Sequence, residues 1–139
     1  MRVKRYIFWS LFVMGFSAIF VFWPRNNVDG IQLFSFNDYF YARKVHSVLD
    51  GDAIALLELT ETDCDGELCY EQGEVLANIL VKMGDGEFAK VVHNLPAKGK
   101  VNLHSLLLAG IEYGSFPKYL TPLTLDETFP KTRAELIKR

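Results

Sequence analysis

From Val45 to Val81 the chain has no lysine and no arginine, and from Tyr6 to Trp23 it has no carboxylate, base or histidine. Cysteine is scarce, at two residues, and the three histidines stand at no spacing that metal ligands use. There is no G-x-S-x-G nucleophile elbow and no glycine-rich phosphate loop. Each absence narrows the range of functions. Without those motifs the sequence offers no recognisable catalytic apparatus and no cofactor site, so an enzyme is not expected. Residues 24–139 carry 12 Lys and Arg against 17 Asp and Glu, a formal charge of −5. That balance argues against nucleic acid or anionic lipid as the main partner.

The uncharged run is informative for what it does contain. Its 18 residues are aliphatic and aromatic apart from Ser10, Gly15 and Ser17. As a helix they cover roughly 27 Å, close to the thickness of a bilayer's hydrocarbon core. Tyr6, Trp9 and Trp23 lie toward its ends, where amphipathic rings favour the membrane–water boundary. A cleaved signal peptide needs small residues after its apolar stretch, whereas this run closes on Phe20-Val21-Phe22-Trp23-Pro24. No cysteine stands nearby to take a lipid. The expectation is an uncleaved anchor over residues 6–23. Arg2, Lys4 and Arg5 precede it and only Arg25 follows closely, which keeps the N-terminus in the cytoplasm. In a bacterium the protein is then a single-pass inner-membrane protein whose C-terminal part lies in the periplasm. The expected division is a cytoplasmic flank at 1–5, the anchor, a polar linker at 24–30 and one helical domain at 31–139.

Within the base-free block stand nine acids, Asp50, Asp52, Glu58, Glu61, Asp63, Asp65, Glu67, Glu71 and Glu74. From Lys82 onward the balance reverses, to nine bases and six acids. Such a block either solvates a surface or steers a basic partner. Cys64 and Cys69 lie inside it. Outside the cytoplasm a lone pair reads as one disulfide, worth roughly 2 kcal/mol for so small a ring and suited to stiffening the Asp63-Cys64-Asp65-Gly66 turn. The same stretch matches a calcium loop only in part. Asp63, Asp65 and Gly66 fit its third, fifth and sixth positions, but Glu61 and Gln72 occupy the first and twelfth. A turn is the better reading, and no metal is expected.

The remaining pattern is helical. Ser35 and Asp38 resemble a capping-box start for a helix running to about Leu49, with Tyr41, Val45, Val48 and Leu49 on one face. Gly51 and Asp52 form a stop followed by a cap, and Ala53 to Thr60 suits either a short helix or a strand. Leu76, Ile79, Leu80 and Met83 give one buried stripe on a helix from Glu71 to Met83. Gly84-Asp85 repeats the stop-and-cap pair, and Phe88, Val91, Val92 and Leu95 repeat the stripe. Pro96 opens a helix through Leu103, Leu106, Leu107 and Ile111 to Gly114, in which Gly99 and Gly110 each cost about 1 kcal/mol of propensity. Beyond an irregular, proline-marked tail, a short helix is expected from Lys131 to Lys138. The two Gly-Asp pairs stand 33 residues apart. Over residues 37–113 the chain thus distantly resembles a HEAT-like array of antiparallel helices, a likeness that carries no functional residues. The expected fold is all-α, with an N-terminal transmembrane helix and a small antiparallel helical domain.

These features point to a protein that binds another protein. An immunity-type inhibitor that neutralises a toxin in the periplasm fits the size, anchor, acidity and missing motifs. An accessory subunit of an envelope membrane complex is the alternative, and a small hydrolase built on unrecognised carboxylates comes third. The expected contact residues are Glu58, Glu61, Asp63, Asp65, Glu67, Glu71 and Glu74, facing a partner with a basic surface.

Overall fold

The computed structural model describes residues 26–117 and 120–138, so the expected anchor at 6–23 lies outside the described residues. Among those described, no helix is long and apolar enough to cross a membrane. The chain enters on a small antiparallel hairpin, β1 (Asn27–Val28) and β2 (Ile31–Gln32). Residues 26–30 of the expected linker at 24–30 therefore include a strand and the hairpin turn. Asp29 and Gly30 are turn-formers whose φ angles of 50° and 87° close the hairpin, and Ile31 and Leu33 drop into the core behind it.

Helix α1 (Tyr39–Leu49) begins at Asp38, whose Oδ1 accepts from the backbone N–H of Phe40 and Tyr41 at 2.8 and 2.9 Å. The expected Ser35 cap is not used: Asp38 sits one residue before the helix and is the cap itself. Gly51 then adopts φ +95°, a left-handed position that spares a side chain the clash with its own carbonyl. Asp52 caps α2 (Ala53–Thr60) in the same manner as Asp38, accepting from Ile54 and Ala55. The stretch open to either helix or strand is thus a helix, and it buries Leu56 and Leu59 completely.

Helix α3 (Glu67–Met83) starts four residues earlier than its apolar stripe indicates, because its first turn faces solvent and carries no periodic signal. Gly84, at φ +77°, ends it and opens α4 (Asp85–His93). Here the second Gly-Asp pair departs from the first. Asp85 does not cap its own helix; its carboxylate accepts from the N–H groups of Lys131 and Thr132 at 2.9 and 2.7 Å. It therefore caps α7 (Pro130–Leu136), 45 residues downstream at its first residue, and fixes that helix against α4. The last helix was expected from Lys131 to Lys138; it begins at Pro130, whose fixed φ suits the first helical position. A single turn, α6 (Leu125–Thr128), precedes it and buries Leu125, while Phe129 fills the corner between them.

The most extensive helix pair is α3 with α5 (Ala97–Tyr113). They run antiparallel, since Tyr70 meets Tyr113 at one end and Gly73 meets Gly110 a turn further in. At that crossing the backbones touch. A Cβ on Gly110 would lie 1.9 Å from the carbonyl carbon of Gly73, and one on Gly73 would lie 2.1 Å from the Leu106 oxygen. The glycine that weakens α5 as an isolated helix is what lets it approach α3. The stripe residues Leu76, Leu80, Phe88, Val92, Leu103 and Leu107 are all 0% exposed in the single core this packing encloses.

Candidate functional site

The acidic surface is built where α2 hands over to α3. Glu61 follows the last residue of α2, and the Thr60 and Thr62 hydroxyls donate back to the Leu57 and Glu58 carbonyls to finish that helix. The chain then turns through residues 63–66 into α3. A Cys64–Cys69 disulfide spans this turn, with the two Cα atoms 5.1 Å apart, and ties it to the first turn of α3. Backbone bonds from Leu68 N–H to Asp65 O and from Cys69 N–H to Gly66 O lie inside the loop so closed. The expected pairing is thus present, and the turn is held both covalently and by its own backbone.

The seven acids expected to share one role fall into three groups. Glu61, Asp63, Asp65 and Glu67 are exposed around the closed turn, and their carboxylates meet no ion-pair or hydrogen-bond partner among the described residues. Glu58 reaches the Lys44 ammonium of α1 at 3.2 Å. Glu71 and Glu74 are half-buried and hold loops in place. The Ser35 N–H donates to Glu71 Oε2, and the Ser115 N–H donates to Glu74 Oε1, each at 3.2 Å. Sequence proximity joined these acids; the loops at Ser35 and Ser115, which reach Glu71 and Glu74, divide them between surface and structure.

Behind the turn lies a buried polar link. Gln72 is 0% exposed and accepts from the Tyr41 hydroxyl at 2.7 Å while its Nε2 donates to the Leu59 carbonyl at 2.5 Å. One side chain of α3 therefore ties α1 and also satisfies a carbonyl in the last turn of α2, which has no partner within its own helix. Burial pushes the Tyr41 hydroxyl well above the usual tyrosine range. Because Gln72 points into the core, it is not available as the twelfth ligand of a calcium loop. Among the described residues no three His, Cys, Asp or Glu side chains gather as metal ligands would.

The histidines lie apart from one another. His46 is near Asp29 and Asp50, at 3.5 and 4.0 Å, on the exposed face of α1. His93 Nδ1 lies 3.0 Å from Glu135 Oε2, across α4 and α7. Bonds from Lys138 and then His93 hold the Glu135 carboxyl below its ordinary value.

Two features of this region escaped the sequence reading. Gln72 lies four residues before Leu76 and so continues the buried stripe by one turn, a signal masked by its polarity. Tyr70 and Tyr113 pack together with ring centroids 4.2 Å apart and planes tilted by 37°, beside the acidic turn. Nothing local in the sequence pairs them; only the antiparallel crossing of α3 and α5 does. These observations define a small all-α domain carrying a disulfide-closed acidic turn. No family model matches the chain, and neither a curated protein nor a solved structure matches it significantly.

Proposed function

We propose that this chain is a protein-binding protein, anchored in the bacterial inner membrane by residues 6–23, whose HEAT-like helical domain in the periplasm engages a partner with a basic surface. The observation that carries the reading is the set Glu61, Asp63, Asp65 and Glu67, exposed and unpaired among the described residues on a turn closed by Cys64–Cys69. Unpaired carboxylates gathered on one turn set up a field that speeds encounter with a positive surface. A turn already rigid loses little conformational freedom when it docks. Glu58, Glu71 and Glu74 contribute charge to that field, but their own partners hold them in place.

Within this class the role we favour is an immunity-type inhibitor, stationed where an incoming toxin would pass. An accessory subunit of an envelope complex is supported instead by the anchor, which would bring the domain to a membrane partner. A hydrolase ranks last. In the groove between α4 and α7 the carboxylates of Glu87 and Glu135 are both paired, with Lys90 at 2.6 Å and with His93 and Lys138. Affinity isolation of the full-length protein from detergent-solubilised membranes tests the proposal. The expected result is a co-purifying protein with a basic surface, retained by the wild type and released when Glu61, Asp63, Asp65 and Glu67 are changed to lysine. A partner retained equally by both forms would remove the acidic turn from the interface.

A further inference from the structure

Tyr70 and Tyr113 meet where the N-terminal end of α3 faces the C-terminal end of α5. Their rings are inclined at 37°, so each shields one face of the other and leaves an outer face open. Tyr70 is 39% exposed and Tyr113 61%, much ring surface for one small area. Among the described residues, every charged residue within one turn of either tyrosine along its own helix is acidic. Glu67 lies one turn before Tyr70 on α3 and Glu74 one turn after it, on the same helix face. The Glu74 carboxylate reaches across to residue 115 at the foot of α5. Glu112 directly precedes Tyr113, and its charge is the largest of the influences that raise the Tyr113 hydroxyl's pKa. None of these three carboxylates forms an ion pair among the described residues.

A partly exposed aromatic pair framed by carboxylates is complementary to a flat cation. A guanidinium lies against a ring face and donates from its edge to carboxylates in the same plane, whereas an ammonium acts as a hydrated point charge. Anionic headgroups would be repelled from such a surface, and the same face of a second copy would bring like charge to like charge. We propose that the Tyr70–Tyr113 pair is the docking point for an arginine side chain of a basic protein partner, with Glu67, Glu74 and Glu112 as the acceptors around it. This rests on the protein-binding function proposed above and adds the choice of residue. The acidic turn attracts any basic surface, and the tyrosines select arginine at contact.

The test uses the full-length protein in a neutral detergent at low salt, with fluorescently labelled hexa-arginine and hexa-lysine peptides as probes read by anisotropy. The arginine peptide is expected to bind about five-fold more tightly than the lysine peptide. Tyr70→Ala with Tyr113→Ala should abolish that preference while helicity and the disulfide are retained. Tyr113→Phe, which keeps the ring and removes the hydroxyl, should preserve it. Equal affinities of the two peptides for the wild type would overturn the proposal, as would a preference that survives the double alanine variant. The acidic-turn reading fails separately, if charge reversal at Glu61, Asp63 and Asp65, which the tyrosine site does not use, leaves the binding of both peptides unchanged.

Discussion

Gln72 joins three helices through two hydrogen bonds and is completely shielded from water, so its removal strands groups that cannot be solvated. Gln72→Ala leaves the Tyr41 hydroxyl and the Leu59 carbonyl without partners and should cost about 2–4 kcal/mol in chemical denaturation. Tyr41→Phe strands only the Gln72 oxygen and should cost about 1–2 kcal/mol. The two losses should not add, because both changes break the same bond. Tyr41 also carries a pH signature. Its pKa in the folded state is raised above the ordinary 10.0, chiefly by burial. The stability it contributes is therefore complete below pH 10 and is lost as the pH rises beyond that value. Denaturation midpoints measured above pH 10 should fall more steeply for the wild type than for Tyr41→Phe; parallel curves would show that the hydroxyl ionises without cost.

At the scale of elements, the crossing of α3 and α5 reverses an inference drawn from propensity. As an isolated helix, α5 would gain about 1 kcal/mol from Gly110→Ala. In the fold the new methyl would fall 1.9 Å from the Gly73 carbonyl carbon, backbone that cannot step aside. Gly110→Ala should therefore destabilise the domain by about 3 kcal/mol or more. Gly86, in the first turn of α4, has only the Lys131 ammonium within reach of an added methyl, at 3.8 Å. Gly86→Ala should accordingly stabilise by about 0.5–1 kcal/mol. Thermal and denaturant midpoints of the two variants, moving in opposite directions, check the crossing. Asp85→Ala should detach the start of α7, seen as faster amide exchange at Lys131 and Thr132, with a loss of about 0.5–2 kcal/mol. These elements also mark where the sequence is legible. Stripes such as Leu76–Ile79–Leu80 and caps such as Asp52 depend on residues within a turn of each other, and they could be read directly. Asp85 has the same local spelling as Asp52 but bonds a helix far along the chain. The hairpin was hidden for a related reason: Asp29-Gly30 marks a turn equally in a linker or between strands, and only the burial of Ile31 and Leu33 distinguishes them.

For the molecule as a whole, the legible part of the candidate site was its composition. A base-free block with two cysteines at its centre identified the turn, and local spacing was enough to pair Cys64 with Cys69. Which acids stay free was not legible, since Glu71 and Glu74 find their backbone donors at Ser35 and Ser115, about 40 residues away in opposite directions. Alkylation of protein taken from membranes should label both cysteines only after reduction, and a reporter fused after Arg139 should be active only if it works outside the cytoplasm. Two freely labelled thiols before reduction would break the link between the turn's rigidity and its proposed use. The central claim is that the exposed acids of this turn drive encounter with a basic partner. It is tested most directly by the association rate of full-length protein with the isolated partner, measured across a salt series for the wild type and for a variant with lysine at 61, 63, 65 and 67. The prediction is a lower rate for the variant at low salt and a flatter dependence on ionic strength, with helicity unchanged. An association rate at low salt identical to that of the wild type, in a folded variant, would contradict the claim and leave these acids no role beyond solvating the surface.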